Sequence, residues 1–582
     1  MKDAGRRKGK PEGAGRGSGP FRFRESAAPL ETGGGRKEWG GRLRVALVYP
    51  NRYAVAMANL GFLTIHARIN LRVDALCERA FLPDSRGASF DATPDGAPIR
   101  TLESGRPLSD FDIVAFSLSC ETDLANLPSV LSAGGVTPLR IDRASTAGAR
   151  PLVLGGGFAA SLNPEMAGAI ADAIVVGDGE RALEAILDHG APSVEQERYL
   201  KALAGIPGVY VPAGYRPEYD DAVAGDPPGG GRLRRIHPLP GFPEKVVREE
   251  VDLARYPQPP VVSSPEAEMG DMILVETSRG CPGKCAFCAA SHACPRFREA
   301  PVDQVRAVVD AAWPQRKKVG LVGAAVLDWS PFRAFAREIL ARGGAVSPAS
   351  VRADLVDDEI AEILRRSGQR TVALAPESGD AARRARIGKK IPDAVFLSAG
   401  RTLARAGILS FKLYFLVGVP GAPADEEVGG TVAFMRAFKG AVLEEAKAIG
   451  RMGTVTAVLS PFVPKPFTPL QWAAMASEKE LSNRMAAIAK AVRPEGNLAV
   501  TSDTARSALL QGYLGLSDRR VSTLLSRCRP NKGSLPSGPL PVRMEELLYR
   551  EKDADECFPW DAVDGGAPRI TLRSRYEAIS SR

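Results

Sequence analysis

Three cysteines fall within eight residues, at Cys281, Cys285 and Cys288, on a loop that joins an apolar strand to an amphipathic helix. Met272-Ile273-Leu274-Val275-Glu276-Thr277 runs straight into Ser278-Arg279-Gly280, and Pro301 to Trp313 has helical periodicity. Strand, loop and helix form one βα unit of a barrel-like sheet, where sites gather at the C-terminal strand ends. The C-x3-C-x2-C spacing can hold a cubane iron–sulfur cluster by three of its four irons, leaving the fourth open to an outside ligand. Thiolates suit the role because they are soft, anionic donors. A four-thiolate zinc site completed by Cys294 is the competing chemistry. Such sites usually come as two C-x2-C knuckles, which this spacing does not supply. Cys294 and His292 are read as incidental loop residues.

Further apolar segments follow at intervals that leave room for helices: Val319–Gly323, Ser350–Arg352, Thr371–Ala375, Phe411–Gly418 and Thr454–Leu459. With the first strand they make six βα units. The whole arrangement resembles the radical S-adenosylmethionine (radical SAM) superfamily, whose defining signature is this cysteine spacing. The resemblance implies a partial (β/α)6 TIM-like barrel, a 4Fe-4S cluster on Cys281, Cys285 and Cys288, and SAM chelated to the open iron. Reductive cleavage of SAM to a 5′-deoxyadenosyl radical would start the chemistry.

The same resemblance assigns SAM contacts. Phe287 occupies the aromatic position that packs against SAM. Gly323 and Ala324 stand where the family has Gly-Gly-Glu; the acidic residue is missing, and Asp328 lies further on. Glu377 and Ser378 match a Glu-Ser-Gly element, and Gly418 and Pro420 match a G-x-P-G turn under the adenine. Each has a plainer reading. Ser378 and Gly379 could cap the next helix, Pro-Gly is an ordinary turn, and Arg352 reaches either the SAM carboxylate or an outward salt bridge.

Upstream, Arg44–Pro50, Asp112–Leu118, Pro151–Leu154 and Ala173–Val176 read as strands, several ending in glycine, with helices between them. That pattern gives a Rossmann-like open parallel sheet, in which ligands bind at strand C-termini. Gly155-Gly156-Gly157, Asn163-Pro164-Glu165 and Gly177-Asp178-Gly179-Glu180, in that order, resemble the cobalamin-binding-type domain fused ahead of many radical SAM enzymes. The resemblance makes Ser117, Gly155, Gly156, Gly177, Gly179 and Glu180 candidate cobalamin contacts. The cobalt-ligating D-x-H-x-x-G motif is absent: His66 has Thr64 and Ile69 at the corresponding places. Two readings therefore stand side by side. Either cobalamin binds without that histidine, or the domain has lost it and only caps the barrel.

The fold expected is α/β, with a basic tail at 1–40, the Rossmann-like domain at 41–205, a turn-rich linker at 206–265, the barrel at 266–475 and a small helical extension at 476–582. The net charge of +9 lies mostly in the tail, which holds ten Lys/Arg, five Asp/Glu and ten glycines and is too poor in apolar residues to fold. The rest is near balance, so nucleic-acid binding is not expected. No segment is apolar enough to span a membrane, no signal segment follows Met1, and the eight cysteines form no disulfide framework. A cytoplasmic setting follows, with a flavodoxin or ferredoxin as electron donor and an unidentified substrate. If cobalamin binds, methyl transfer is the favoured outcome. The alternatives are a tRNA- or protein-modifying methylthiotransferase, which would need a second cluster, and a non-catalytic metal-stabilised scaffold.

Overall fold

The computed structural model describes residues 30–33, 36–83, 98–144, 151–192, 195–221, 230–530 and 532–581. The upstream sheet has six strands: β1 (Leu43–Arg52), β2 (Ala75–Leu82), β3 (Ile113–Ser117), β4 (Leu152–Gly156), β5 (Ala173–Val175) and β6 (Val209–Tyr210). Their order is β2-β1-β3-β4-β5-β6, all parallel except β6. This is the flavodoxin-type winding, with its switch point between β1 and β3. β1, β3 and β4 are apolar enough to be buried on both faces, which is why the sequence shows them. β2 was not expected. It carries Glu78 and Arg79 in mid-strand, and Arg79 is buried between Glu31 and Glu103 at 2.7 Å each.

A hairpin follows, β7 (Tyr215–Tyr219) with β8 (Leu233–Pro238), then the short β9 (Val246–Val247). The barrel contains β10 (Met272–Glu276), β13 (Lys318–Val322), β14 (Ala345–Pro348), β15 (Thr371–Glu377), β16 (Ser410–Val417), β17 (Val455–Pro461) and β18 (Leu498–Ser502). These form two parallel groups in chain order, β10-β13-β14 and β15-β16-β17-β18. Between β10 and β13 lies a two-rung ladder of β11 (Ser278–Arg279) and β12 (Arg298–Glu299).

Several expectations are corrected. The third barrel strand is Ala345–Pro348; Ser350–Arg352 lies in the turn beyond it. A seventh strand, β18, carries the barrel past residue 475 into the region expected to be a helical extension. β6 joins the upstream sheet from inside the expected linker. β19 (Val563–Asp564) returns to pair with β9, so the C-terminal segment is stitched to the linker. Of the expected tail, residues 1–29 lie outside the described residues. The part nearer the sheet is anchored: Thr32 exchanges backbone hydrogen bonds with Ser263, and Trp39 packs edge-on against Phe111.

The two sheets share one core. Val48, Phe116, Val153 and Ile174 on one face of the upstream sheet belong to the same buried cluster as Ile273, Leu321, Phe411 and Leu459 of the barrel. A second, smaller core fills the other face of the upstream sheet. The two modules are therefore packed as one body, with apolar burial supplying the main attraction between them. Among the described residues, no helix is long and apolar enough to cross a membrane.

Candidate active site

The cysteine loop leaves β11 through Gly280, whose φ of +77° suits glycine; a side chain there would run into the Arg296 and Cys294 carbonyls. Gly283 places its amide 3.4 Å from the Cys281 sulfur and leaves room beside it. Cys281, Cys285 and Cys288 are all partly exposed. Burial pushes the Cys285 thiol up to about 11, Lys389 pulls it down, and Cys288, Glu377 and Cys281 push it up again. The loop is tied to the segment that follows β15: the Ala286 amide donates to the Ile387 carbonyl at 2.8 Å, and nearby the Glu377–Lys389 pair closes at 2.9 Å. Burial raises the Cys294 thiol above its ordinary value, and Arg248 opposes that rise. Among the described residues no three Cys, His, Asp or Glu side chains close around a single metal ion. His292 donates to the Cys285 carbonyl at 3.0 Å, and burial lowers its pKa to about 4, so the ring is neutral and braces the loop.

The strand ends around the loop contain buried polar atoms with nothing to bind. Ser278 Oγ is one; a side chain at Gly323 would collide with it. Asp328 Oδ2 is another, while Asp328 Oδ1 takes a hydrogen bond from Arg352 at 2.7 Å. Buried polar groups are ordinarily satisfied, so each of these two atoms is a free partner for a polar ligand. Arg352 binds Asp354 as well, so the outward salt bridge accounts for it. Glu377 has the left-handed φ of +64°, uncommon for a residue with a side chain. Ser378 accepts from the Asp380 amide, and its carbonyl takes the buried Arg384 guanidinium at 2.7 Å; the cap of the next helix is Asp380. The Gly418 amide is already bound by Glu427, which Arg484 holds at 3.1 Å, so this turn is braced from behind. Phe287 packs half-buried against the barrel core.

Upstream, the candidate residues divide. Ser117 and Gly156 sit at the ends of β3 and β4, and a side chain at Gly156 would meet nothing within 4 Å. Gly155 is a packing glycine pressed on Phe116. At the end of β5, Gly177 (φ +101°) lies against the Glu249 backbone. The next residues grip the cysteine loop: Arg279 binds Glu180 at 2.5 Å, Glu276 at 2.7 Å and Asp178 at 3.2 Å. Arg298 also binds Asp178, at 2.5 Å. Burial alone would raise the Asp178 carboxyl, but Arg279 and Arg298 hold it below its ordinary value. Glu180 thus braces the base of the cysteine loop from the neighbouring module. No local pattern signals this contact, since its partner lies 99 residues away.

Two family models match the chain: the N-terminal domain of radical SAM proteins over residues 61–212 and the radical SAM superfamily domain over residues 275–434. The chain belongs to the radical SAM superfamily. A 4Fe-4S cluster and SAM are the cofactors of that superfamily. An uncharacterised protein of Methanocaldococcus jannaschii is 28% identical over 302 residues, half of this chain, and the match spans 60% of that relative's length. Among solved structures, the cobalamin- and cluster-bound radical SAM methyltransferase TsrM of Kitasatospora setae is similar at 16% identity and a TM-score of 0.47, over 75% of this chain and 80% of TsrM. The cobalamin-dependent radical SAM enzyme OxsB is similar at 16% identity and a TM-score of 0.44, over 68% of this chain and 52% of OxsB.

Proposed function

We propose that Cys281, Cys285 and Cys288 hold the radical SAM cluster, and that this enzyme transfers a methyl group with the help of cobalamin in the upstream crevice. What supports the first half is the C-x3-C-x2-C spacing of a loop that leaves β11 and is tied through Ala286 to Ile387, together with the match to the radical SAM superfamily domain over residues 275–434. Three thiolates and one open corner fit a cubane, which supplies the electron that cleaves SAM reductively when both are bound. This chain's residues do the rest. Asp328 Oδ2 and Ser278 Oγ offer partners to the polar end of SAM, and the Gly418 turn, stiffened by Glu427, supports its far end. Lys389 offsets the negative charge of Glu377 beside the thiolates. A reducing, cytoplasmic setting and a flavodoxin or ferredoxin donor suit such a cluster.

The upstream half rests on the unfilled ends of β3 and β4. Gly156 faces open space there, and Phe158, two residues on, is 41% exposed. Cobalamin, when bound, supplies a methyl carrier. Gly155, Gly177 and Glu180 are committed to contacts within the protein, which favours a second reading in which the domain only caps the barrel. Anaerobic reconstitution with iron and sulfide, followed by SAM and a strong reductant, tests the first half: 5′-deoxyadenosine should form, and Cys285→Ala should make none. Titration with hydroxocobalamin tests the second: a bound corrinoid spectrum supports methyl transfer, and no binding leaves the capping reading.

A further inference from the structure

The barrel's interior is unlike a packed TIM-barrel core. In β16, Phe411 and Phe415 face outward, packed on Phe438 and Phe434 of the covering helix at 5.1 and 5.9 Å between ring centroids. The alternate residues Lys412, Tyr414 and Leu416 therefore face the lumen. β16 lies between β15 and β17, so both its edges are paired, and its outer face is covered. Lys412 is nonetheless exposed, and Tyr414 is 38% exposed. Strands of parallel sheets are normally buried on both faces, and barrel interiors are filled by bulky branched side chains. Beside this stripe stand Ala373 and Ala375 of β15 and, on β17, Thr456 next to Lys412 and Val458 next to Tyr414. The lumen is thus open along a stripe that descends from the crest, where Glu377 ends β15, at about 7 Å per two residues.

Lys412 has no ion-pair or hydrogen-bond partner among the described residues. The two carboxylates at the crest of these strands are engaged: Glu377 with Lys389 at 2.9 Å, and Asp503, at the end of β18, with Ser460 at 2.9 Å. An unpaired ammonium on an interior wall, with both crest acids already partnered, is suited to a charge brought in from outside.

We propose that the substrate is a small organic anion that enters the lumen, its carboxylate or phosphate group held by Lys412 and its body lying along Tyr414. This rests on the radical SAM reading and names the substrate class for that site. The test uses the full-length, anaerobically reconstituted chain and the small-molecule extract of its source cells, split on an anion exchanger. The retained fraction should stimulate 5′-deoxyadenosine formation. The concentration needed for half-stimulation should rise about tenfold or more in Lys412→Met, the size expected for losing one charge-assisted hydrogen bond, and recover in Lys412→Arg. Phosphatase treatment of the fraction abolishes stimulation by a phosphate ester and spares a carboxylate. A second readout works even if no 5′-deoxyadenosine forms at all, the outcome that defeats the functional reading itself. Lys412 acetylation by an N-hydroxysuccinimide ester, followed by mass spectrometry, should slow in the presence of the retained fraction. Stimulation by the unretained fraction, equal stimulation of Lys412→Met, or unprotected acetylation of Lys412 overturns the proposal.

Discussion

The crest of the upstream sheet has two sides that read alike in sequence and behave oppositely in structure. β4 ends in Gly155-Gly156-Gly157, and the chain leaves β5 through Gly177-Asp178-Gly179. At β4, Gly156 faces open space. At β5, Gly177 is pressed on Glu249, and Asp178 and Glu180 are spent on Arg279 and Arg298 of the cysteine loop. One side has room for a ligand. The other side is a joint that ties the upstream module to the base of the candidate cluster loop.

The contrast breaks most sharply at Gly177. A side chain there needs a left-handed backbone and meets the Glu249 main chain, so Gly177→Ala should cost about 3 kcal/mol or more, read as a lowered urea midpoint of the metal-free protein. A midpoint unchanged by the substitution would mean the joint is loose. Glu180→Gln removes one of three carboxylates from a buried arginine and should cost about 2 kcal/mol, below the range for stripping a buried charge of its whole partner set. Because Arg279 opens the loop, that variant should also retain less iron after reconstitution and shift the electron paramagnetic resonance signal of the reduced cluster. Normal iron loading with an unaltered signal would reduce Glu180 to simple packing.

On the open side the effects are smaller. Asp123 follows β3, hydrogen-bonded to Asn51 at 2.9 Å, and burial raises its pKa from 3.8 to about 6. The folded state therefore holds a proton that the unfolded chain releases, and stability falls as pH rises from about 4 through about 6. Above that window the ionised carboxyl costs up to about 3 kcal/mol by its shift, and about 1–2 kcal/mol after local relaxation. Asp123→Asn should accordingly be more stable than the parent at pH 7.5, with the gain vanishing near pH 4 in thermal melts. An equal loss at both pH values would contradict the burial argument. Smallest of all, Gly156→Ala should change stability by less than about 0.5 kcal/mol while weakening corrinoid binding, measured by the same titration. Unweakened binding would move the corrinoid away from β4.

The same contrast marks what the sequence could reveal. The cysteine loop was legible because its chemistry is local: three thiols at fixed spacing between a strand and a helix. The strands β1, β3 and β10 were legible because burial on both faces writes a nearly continuous apolar run, and β15, β16 and β17 because every second residue is a buried apolar one. β2 was not, since Glu78 and Arg79 interrupt it, and their partners Thr101, Glu31 and Glu103 are brought in only by the fold. β14 was misplaced by a few residues because Ala345-Val346-Ser347-Pro348 ends in a proline, which argues against a strand interior. β18 is short, carries no run of large apolar residues and presents Thr501 and Ser502 to solvent. Glu180 followed a glycine turn and looked like a cofactor contact; only the fold brings Arg279 to it.

The most direct measurement is on anaerobically reconstituted protein, with iron and sulfide assayed and the reduced form examined by electron paramagnetic resonance with and without SAM. The account predicts one 4Fe-4S cluster per chain, a signal that changes when SAM is added, and loss of both in Cys285→Ala. A chain that takes up no iron under these conditions, or a Cys285→Ala variant that keeps a SAM-responsive cluster, would contradict it.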